Sequence, residues 1–360
     1  MRRAASKNRR RLGDWTAYAT DEAFQERHDA DERFADTTGS LLAKFNRLAR
    51  DLADEPGQDA DVCGFEGTRV LVRSREGLEI PCEVRRILKK QLTGVRSPIS
   101  IGDAVRFQYI ESSDQQEGVV VALLPRRNFL ARTDSHNRAL LHVFAANIDR
   151  MVIVASAAMP DLRPALIDRY LLISHAFDVQ PVIVINKCDL TDSSATVRLY
   201  QDLGYPVHCT ACRDTAGADL DGLRSSLAGG TCVFAGQSGV GKSSLIKALA
   251  PEQEIRIGAV SEVQQKGRHT TIAARSYRLP PDITLIDTPG IRECGIPALA
   301  PLDVALLYRD IARYHPECRF PNCSHIHEPD CAVQTAVKDG RIARSRYESY
   351  RAILAEDLVS

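Results

Sequence analysis

The chain has 360 residues, 47 basic and 47 acidic side chains, and 44% hydrophobic residues. That is the composition of a globular protein of two or three domains with enough apolar material for a full core. It excludes a chain whose bulk charge would drive binding, and no run reaches the ~18–20 apolar residues of a membrane span.

Residues 1–11 hold Arg2, Arg3, Lys7, Arg9, Arg10 and Arg11 with no acid. They read as a basic arm suited to nucleic-acid contact, and no apolar stretch makes them a secretory signal. Ten cysteines in such a chain point to a reducing compartment, the cytoplasm, and to metal ligation over a disulfide framework. A helix is expected between Asp21 and Asp51, with Leu41, Leu42, Phe45 and Leu48 on one stripe. Glu55, Pro56 and Gly57 then break the chain. Residues 1–58 are therefore an extension or hinge.

Over 59–127 the pattern becomes short β-type runs: Thr68 to Arg73, Glu79 to Val84, Ala104 to Tyr109 and Gly118 to Leu123. Alternating strands this closely spaced predict a small barrel of the OB type. Lys89 and Lys90 fall on a connection that suits phosphate contact. Residues 126–147 read as an arginine-rich linker, with Arg126, Arg127, Arg132 and Arg138. From Ile148 apolar strands alternate with helices, which predicts a mostly parallel sheet covered on both faces, within a domain spanning 128–293. Residues 294–360 hold a Cys/His cluster and two expected helices, Leu302 to Arg313 and Ala343 to Leu354.

Three strings in the α/β region carry the chemistry. Gly236, Gln237, Ser238, Gly239, Val240, Gly241, Lys242 and Ser243 (GxxxxGKS) follow an apolar strand and open a helix, the context of a phosphate-binding loop. Successive backbone N–H groups converge there on phosphate oxygens, Lys242 reaches the β- and γ-phosphates, Ser243 ligates Mg²⁺ and Ser244 bonds the α-phosphate. Asn186, Lys187, Cys188 and Asp189 (NKxD) read guanine, because the Asp189 carboxylate accepts from the N1–H and N2–H₂ pair that adenine lacks. Thr210 and Ala211 end the next strand, where an N–H faces guanine O6. Cys209 and Cys212 also form a CxxC pair, which nothing alongside supports as a redox or metal site. Asp287 and Gly290 (DxxG) hold Mg²⁺ through water and sense the γ-phosphate. Between the last two strings lie His269, Thr270 and Thr271; one of the threonines closes over Mg²⁺.

The base-reading string precedes the phosphate loop, the reverse of the ordinary order, so the G domain is expected to be circularly permuted. Ile291 follows DxxG where many GTPases place a water-orienting Gln, so intrinsic hydrolysis should be slow unless His269 takes that role. Cys318, Cys323, His325 and Cys331 supply three thiolates and an imidazole within fourteen residues. This predicts a closed, structural Cys₃His zinc site whose metal provides the module's folding energy.

The rotated order, together with GQSGVGKSSL, GRHTT, DTPGIRECG and the CxxxxCxHxxxxxC module, resembles the ribosome small-subunit-dependent GTPase A (RsgA) family over roughly residues 60–360. The resemblance implies a multidomain protein: an N-terminal OB-type β-barrel, a circularly permuted α/β P-loop GTPase and a C-terminal zinc-binding helical module. It implies a GTP hydrolase that binds the 30S ribosomal subunit and its 16S rRNA, assists late maturation, and is stimulated by the subunit. It also places a proposed catalytic histidine at His269, beside Lys242. GTP and GDP are the expected ligands, Zn²⁺ and Mg²⁺ the expected cofactors, and a monomer the default state. The alternatives are a GTP-gated RNA-binding scaffold and a permuted GTPase acting on another ribosomal particle.

Overall fold

A computed structural model describes residues 41–86, 88, 99–110, 117–133, 141–211, 219–250, 275–280, 282–287, 299 and 301–357. The basic arm, Lys89, Lys90, Arg138, Cys212, His269, Thr270, Thr271, Gly290 and Ile291 lie outside the described residues.

Strands β1 (Gln58–Glu66), β2 (Arg69–Ser74), β3 (Glu79–Val84), β4 (Ala104–Tyr109) and β5 (Gly118–Leu123) run in the order β1-β2-β3-β5-β4 and close by pairing β4 with β1. The parallel β3–β5 pair within an otherwise antiparallel ring is the connectivity of an OB barrel. Alternation drives it: Val70 and Val72, Ile80 and Cys82, and Val105 and Phe107 all face inward. β1 was missed as a strand because Asp59, Asp61 and Glu66 mask its apolar residues; Ala60, Val62 and Cys63 are nonetheless buried.

Residues 41–51 are helical. Phe45 and Leu48 from this helix join the barrel core, while Leu41 packs into the core of the neighbouring domain. The helix is also pinned by polar contacts. The Asn46 amide donates to Arg126 O at 3.0 Å, and Asn46 Oδ1 accepts from Arg126 N at 2.8 Å. Arg126 in turn stacks 3.7 Å over the Phe45 ring and grips Asp103 at 2.6 and 2.7 Å.

The linker expected over 126–147 is instead a two-stranded ribbon, β6 (Phe129–Thr133) paired with β7 (Leu141–Ala146). The arginines suggest a solvated linker, but Arg126 is a buried ion-pair partner.

The α/β region contains β8 (Arg150–Ser156), β9 (Gln180–Asn186), β10 (Val207–Thr210), β11 (Thr231–Ala235), β12 (Arg275–Leu279) and β13 (Ile283–Asp287). Their order is β10-β9-β8-β11-β13-β12; all are parallel except β12. Neighbouring residues of β8 feed opposite faces. Met151 and Ile153 pack with the helix Pro164–Ala176, while Val152 and Val154 pack with Leu220–Leu227 and Lys242–Leu249. This two-sided burial explains the unbroken apolar runs. β12 joins the barrel through the Gly64–Arg275 pair and through Arg73, which donates to Ser276 O at 2.9 Å.

The C-terminal helices are Pro301–Leu307, Arg309–Tyr314, Ala332–Lys338 and Arg344–Asp357. A break at Tyr308 splits the single helix expected over 302–313. This module has a substantial core of its own (Val304, Ile311, Val333, Ile342, Tyr350 and Ile353), which also takes in Leu172 of the helix Pro164–Ala176. The expectation that a metal alone provides the module's folding energy is therefore corrected: apolar packing supplies a share of its own.

The junction is built around Arg346, which is 2% exposed at its side chain. It bonds Asp310 at 2.9 and 3.0 Å and reaches across to Asp168 of the helix Pro164–Ala176, which also accepts from the Tyr200 hydroxyl. Removing one partner of such a buried set leaves uncompensated charge. Arg346→Ala is expected to lower the unfolding free energy by about 3–5 kcal/mol. Arg344→Ala, which breaks an exposed pair with Glu348, should change it by less than about 1 kcal/mol. Urea titrations of the two variants check the contrast.

Candidate functional site

The carboxyl ends of β8, β9, β10, β11 and β13 lie along one edge of the sheet, where open α/β folds bind ligands. β11 ends at Ala235 and passes into Gly236–Gly241; the helix Lys242–Leu249 starts immediately after, with Gly241 as its N-cap in the left-handed region (φ 95°). β9 ends at Asn186, β10 at Thr210 and β13 at Asp287. The sequence-predicted residues that lie among the described ones thus converge, although the chain meets them in rotated order.

Asn186 ties three of these segments together. Its Nδ2 donates to Val240 O in the glycine-rich loop at 2.9 Å, and its Oδ1 accepts from Thr210 Oγ1 at 3.0 Å. The approach is so close that a Cβ on Gly241 would meet Asn186 Nδ2 at 2.2 Å, and one on Gly236 would meet Val154 O at 2.2 Å. Those two glycines are needed for packing as well as for their backbone angles. Lys187 (φ 58°) lays its side chain along the loop and donates to Gly239 O at 2.8 Å and to Met159 O. The Cys188 N–H donates to Thr210 O at 3.2 Å, which leaves the Asp189 carboxylate exposed beyond it. The Lys242 ammonium sits within the loop and donates to Gly236 O and Gln237 O, both at 2.7 Å. Ser243 and Ser244 are exposed at the helix start, and Asp287 is half-buried at its strand end. Sequence reasoning missed Met159, whose carbonyl holds Lys187; nothing in its neighbourhood signals that role.

The Cys/His group is equally compact. One ligand atom from each of Cys318, Cys323, His325 and Cys331 lies within 4.8 Å of every other. His325 Nδ1 is 3.5 Å from Cys318 Sγ and 3.4 Å from Cys331 Sγ, and the two sulfurs are 3.9 Å apart. A tetrahedron with metal–ligand bonds of about 2.0–2.3 Å has edges of roughly 3.3–3.8 Å, so the donor set could hold a metal ion. Burial, aided by His315, lowers the His325 pKa to about 4 and keeps the ring neutral. The competing His327 is exposed.

Two supports were missed in sequence. His315 Nδ1 lies 3.1 Å from His325 Nε2, orienting the ring as an outer partner does in metal sites. Glu328 accepts from the backbone N–H groups of Ser324, Ile326 and His327. Although burial opposes it, hydrogen bonding from Ser324 and the backbone holds the Glu328 pKa down at about 2.

These features match known proteins. A family model described as RsgA GTPase matches residues 123–297. A "Small ribosomal subunit biogenesis GTPase RsgA" of Pseudomonas aeruginosa (strain LESB58) is 41% identical over 306 residues, 83% of this chain and 86% of that one. The chain belongs to the RsgA GTPase family. Another such RsgA, from Saccharophagus degradans, is 40% identical over 81% of this chain and 85% of its own. The crystal structure of YjeQ from Thermotoga maritima superposes with a TM-score of 0.65 at 27% identity, covering 84% of this chain and 98% of that one. YloQ, described as a circularly permuted GTPase, gives 0.64 at 27% identity over 84% and 96%. The fold is thus a circularly permuted GTPase with an N-terminal β-barrel and a C-terminal Cys/His cluster.

Two outcomes are expected here. Gly241→Ala should weaken GDP binding by more than about tenfold while the protein stays folded, because the added methyl displaces Asn186; calorimetry beside a thermal melt checks it. Because its folded pKa lies below the ordinary 4.5, ionised Glu328 stabilises the fold above pH 4.5. That contribution is lost as pH falls toward about 2. Glu328→Gln should flatten the acid limb of the stability curve over that window.

Proposed function

We propose that this protein hydrolyses GTP to GDP and phosphate on the small (30S) ribosomal subunit, where it assists late maturation of the particle and contacts 16S rRNA. The observation that carries this reading is the Asn186 side chain, hydrogen-bonded at once to the glycine-rich loop and to the end of β10. One residue thereby sets the distance between the base-reading end and the phosphate-reading end of a single nucleotide. The relatives named for small-subunit biogenesis supply the particle.

In this reading the exposed Asp189 carboxylate accepts from guanine N1–H and N2–H₂, Thr210 and Ala211 present the turn that faces O6, and the Lys187 stem covers the purine face. The phosphates exchange the two carbonyls that hold Lys242 for charged oxygens, a stronger set of acceptors. Ser243 and Asp287, with Thr270 or Thr271, would hold Mg²⁺, which supplies charge neutralisation at the β/γ oxygens. Catalysis is then positioning and electrostatic stabilisation, with His269 orienting water in place of the missing Gln after Gly290. We assign zinc to the Cys₃His cluster, since three thiolates and one imidazole in a closed set suit that ion structurally. Cytoplasmic residence follows from a ribosomal partner and reduced cysteines; no helix among the described residues is long and apolar enough to cross a membrane.

Asp189→Asn should exchange preference from GTP to XTP, because the amide presents a donor where N2–H₂ needs an acceptor. A variant that still selects GTP as the parent does would refute the base-reading role. Turnover of GTP should rise at least about tenfold on adding 30S particles and stay flat with 50S particles. Stimulation by 50S instead would move the protein to the other subunit.

A further inference from the structure

A cavity of about 340 Å³ lies between the barrel and the G domain, at the amino ends of β11 and β13 and so on the opposite side of the sheet from the glycine-rich loop. Its residues form two rows set by strand register. Across β11, β13 and β12, Thr231 faces Thr284 and Thr284 faces Arg278. Across β2, β1 and β4, Arg73 faces Asp61 and Asp61 faces Ala104. Arg127, Asn147 and Ser276 complete the polar lining, and Val62 and Pro125 give it an apolar wall.

The charges around the cavity are unevenly satisfied. Arg73 is paired with Glu79 at 2.9 Å, and Arg127 with Asp149 at 2.6 Å. Arg278 and Asp61 are exposed at the rim of this open cleft and make no side-chain hydrogen bond or ion pair among the described residues. Arg278 acts on Asp61 only through space, together with Arg73 and Arg75. The lining therefore offers an uncommitted guanidinium, two further guanidiniums with donors to spare, and one uncommitted carboxylate. A planar fork of donors suits phosphate. A lone carboxylate acceptor suits an amino group or ring N–H. The apolar wall suits the face of a ring. The volume sits near the lower end of the ~300–1,000 Å³ range of small-ligand sites, which limits the occupant to one unit.

We propose that this cavity, too small for a purine nucleoside diphosphate such as GDP, binds a single pyrimidine nucleoside monophosphate whose base carries an exocyclic amino group, a cytidylate, with the phosphate on Arg278 and Arg127 and the base edge on Asp61. The unit is either a free mononucleotide or one residue of an RNA strand, which share this chemistry. The site is separate from the GTP site and does not depend on how that site is read.

The test uses the full chain saturated with GDP and Mg²⁺, so that the glycine-rich loop is filled. CMP, UMP and a short single-stranded oligocytidylate are titrated by calorimetry into the parent, Arg278→Gln and Asp61→Asn, with GDP affinity measured alongside. Saturable binding is expected, weakened at least about tenfold in Arg278→Gln, with GDP affinity unchanged in both variants. The preference for CMP over UMP should shrink in Asp61→Asn. Arg278-dependent binding of CMP assigns a free nucleotide; Arg278-dependent binding of the oligonucleotide alone assigns an RNA strand. Absence of binding by all three probes, binding that is the same in Arg278→Gln, or an unchanged CMP-to-UMP ratio in Asp61→Asn overturns the proposal.

Discussion

The glycine-rich loop and the ends of β9 and β10 are held together by one side-chain amide. Asn186 is 1% exposed at the end of β9, and both ends of its amide are committed, to Val240 O and to Thr210 Oγ1. A buried amide with a lost partner is costly, so the three segments it joins are held in mutual register. This is why permutation does not disturb the site. The order in which the chain visits the strand ends is changed, but the hydrogen bonds act across space. The requirement for glycine at 241 follows from the same contact, since no larger residue leaves room for the amide.

A second constraint fixes the C-terminal module. Its attachment to the G domain is not limited to chain continuity after Asp287. Arg346 of the module, itself paired with Asp310, donates to Asp168, and Arg309 stacks 4.1 Å over Tyr205 while donating to Leu203 O and Gly204 O. The helix carrying Asp168 begins at Pro164, shortly after Met159, whose carbonyl receives Lys187. The Cys/His cluster is therefore seated on the same framework that holds Lys187 and the end of β9.

Much of this was legible in the sequence, for a physical reason. Glycine-rich loops, carboxylates after apolar strands and thiolates at ligand spacing are demanded by chemistry, and the backbone has few ways to supply them. The strands at 79–84 and 104–109 are legible because one face is buried and the alternation is clean, and the strand at 118–123 because it is a short, almost wholly buried run rich in valine. β1 and β12 are hard to see in the sequence because they are rich in charged side chains, although each forms a local hairpin with the strand that follows it. The ribbon at 129–146 was hidden by arginines that read as solvated until Asp103 appeared beside Arg126. His315, Glu328 and Met159 act through another residue, and such roles leave no pattern in spacing.

The most direct test of the account is calorimetric titration of the full chain with GDP and with ADP in the presence of Mg²⁺, in the parent and in Asn186→Ala. The account predicts one GDP per chain, preference over ADP by more than about a hundredfold, and loss of most of the affinity in the variant. Equal binding of the two nucleotides, or undiminished GDP binding by Asn186→Ala, would contradict it.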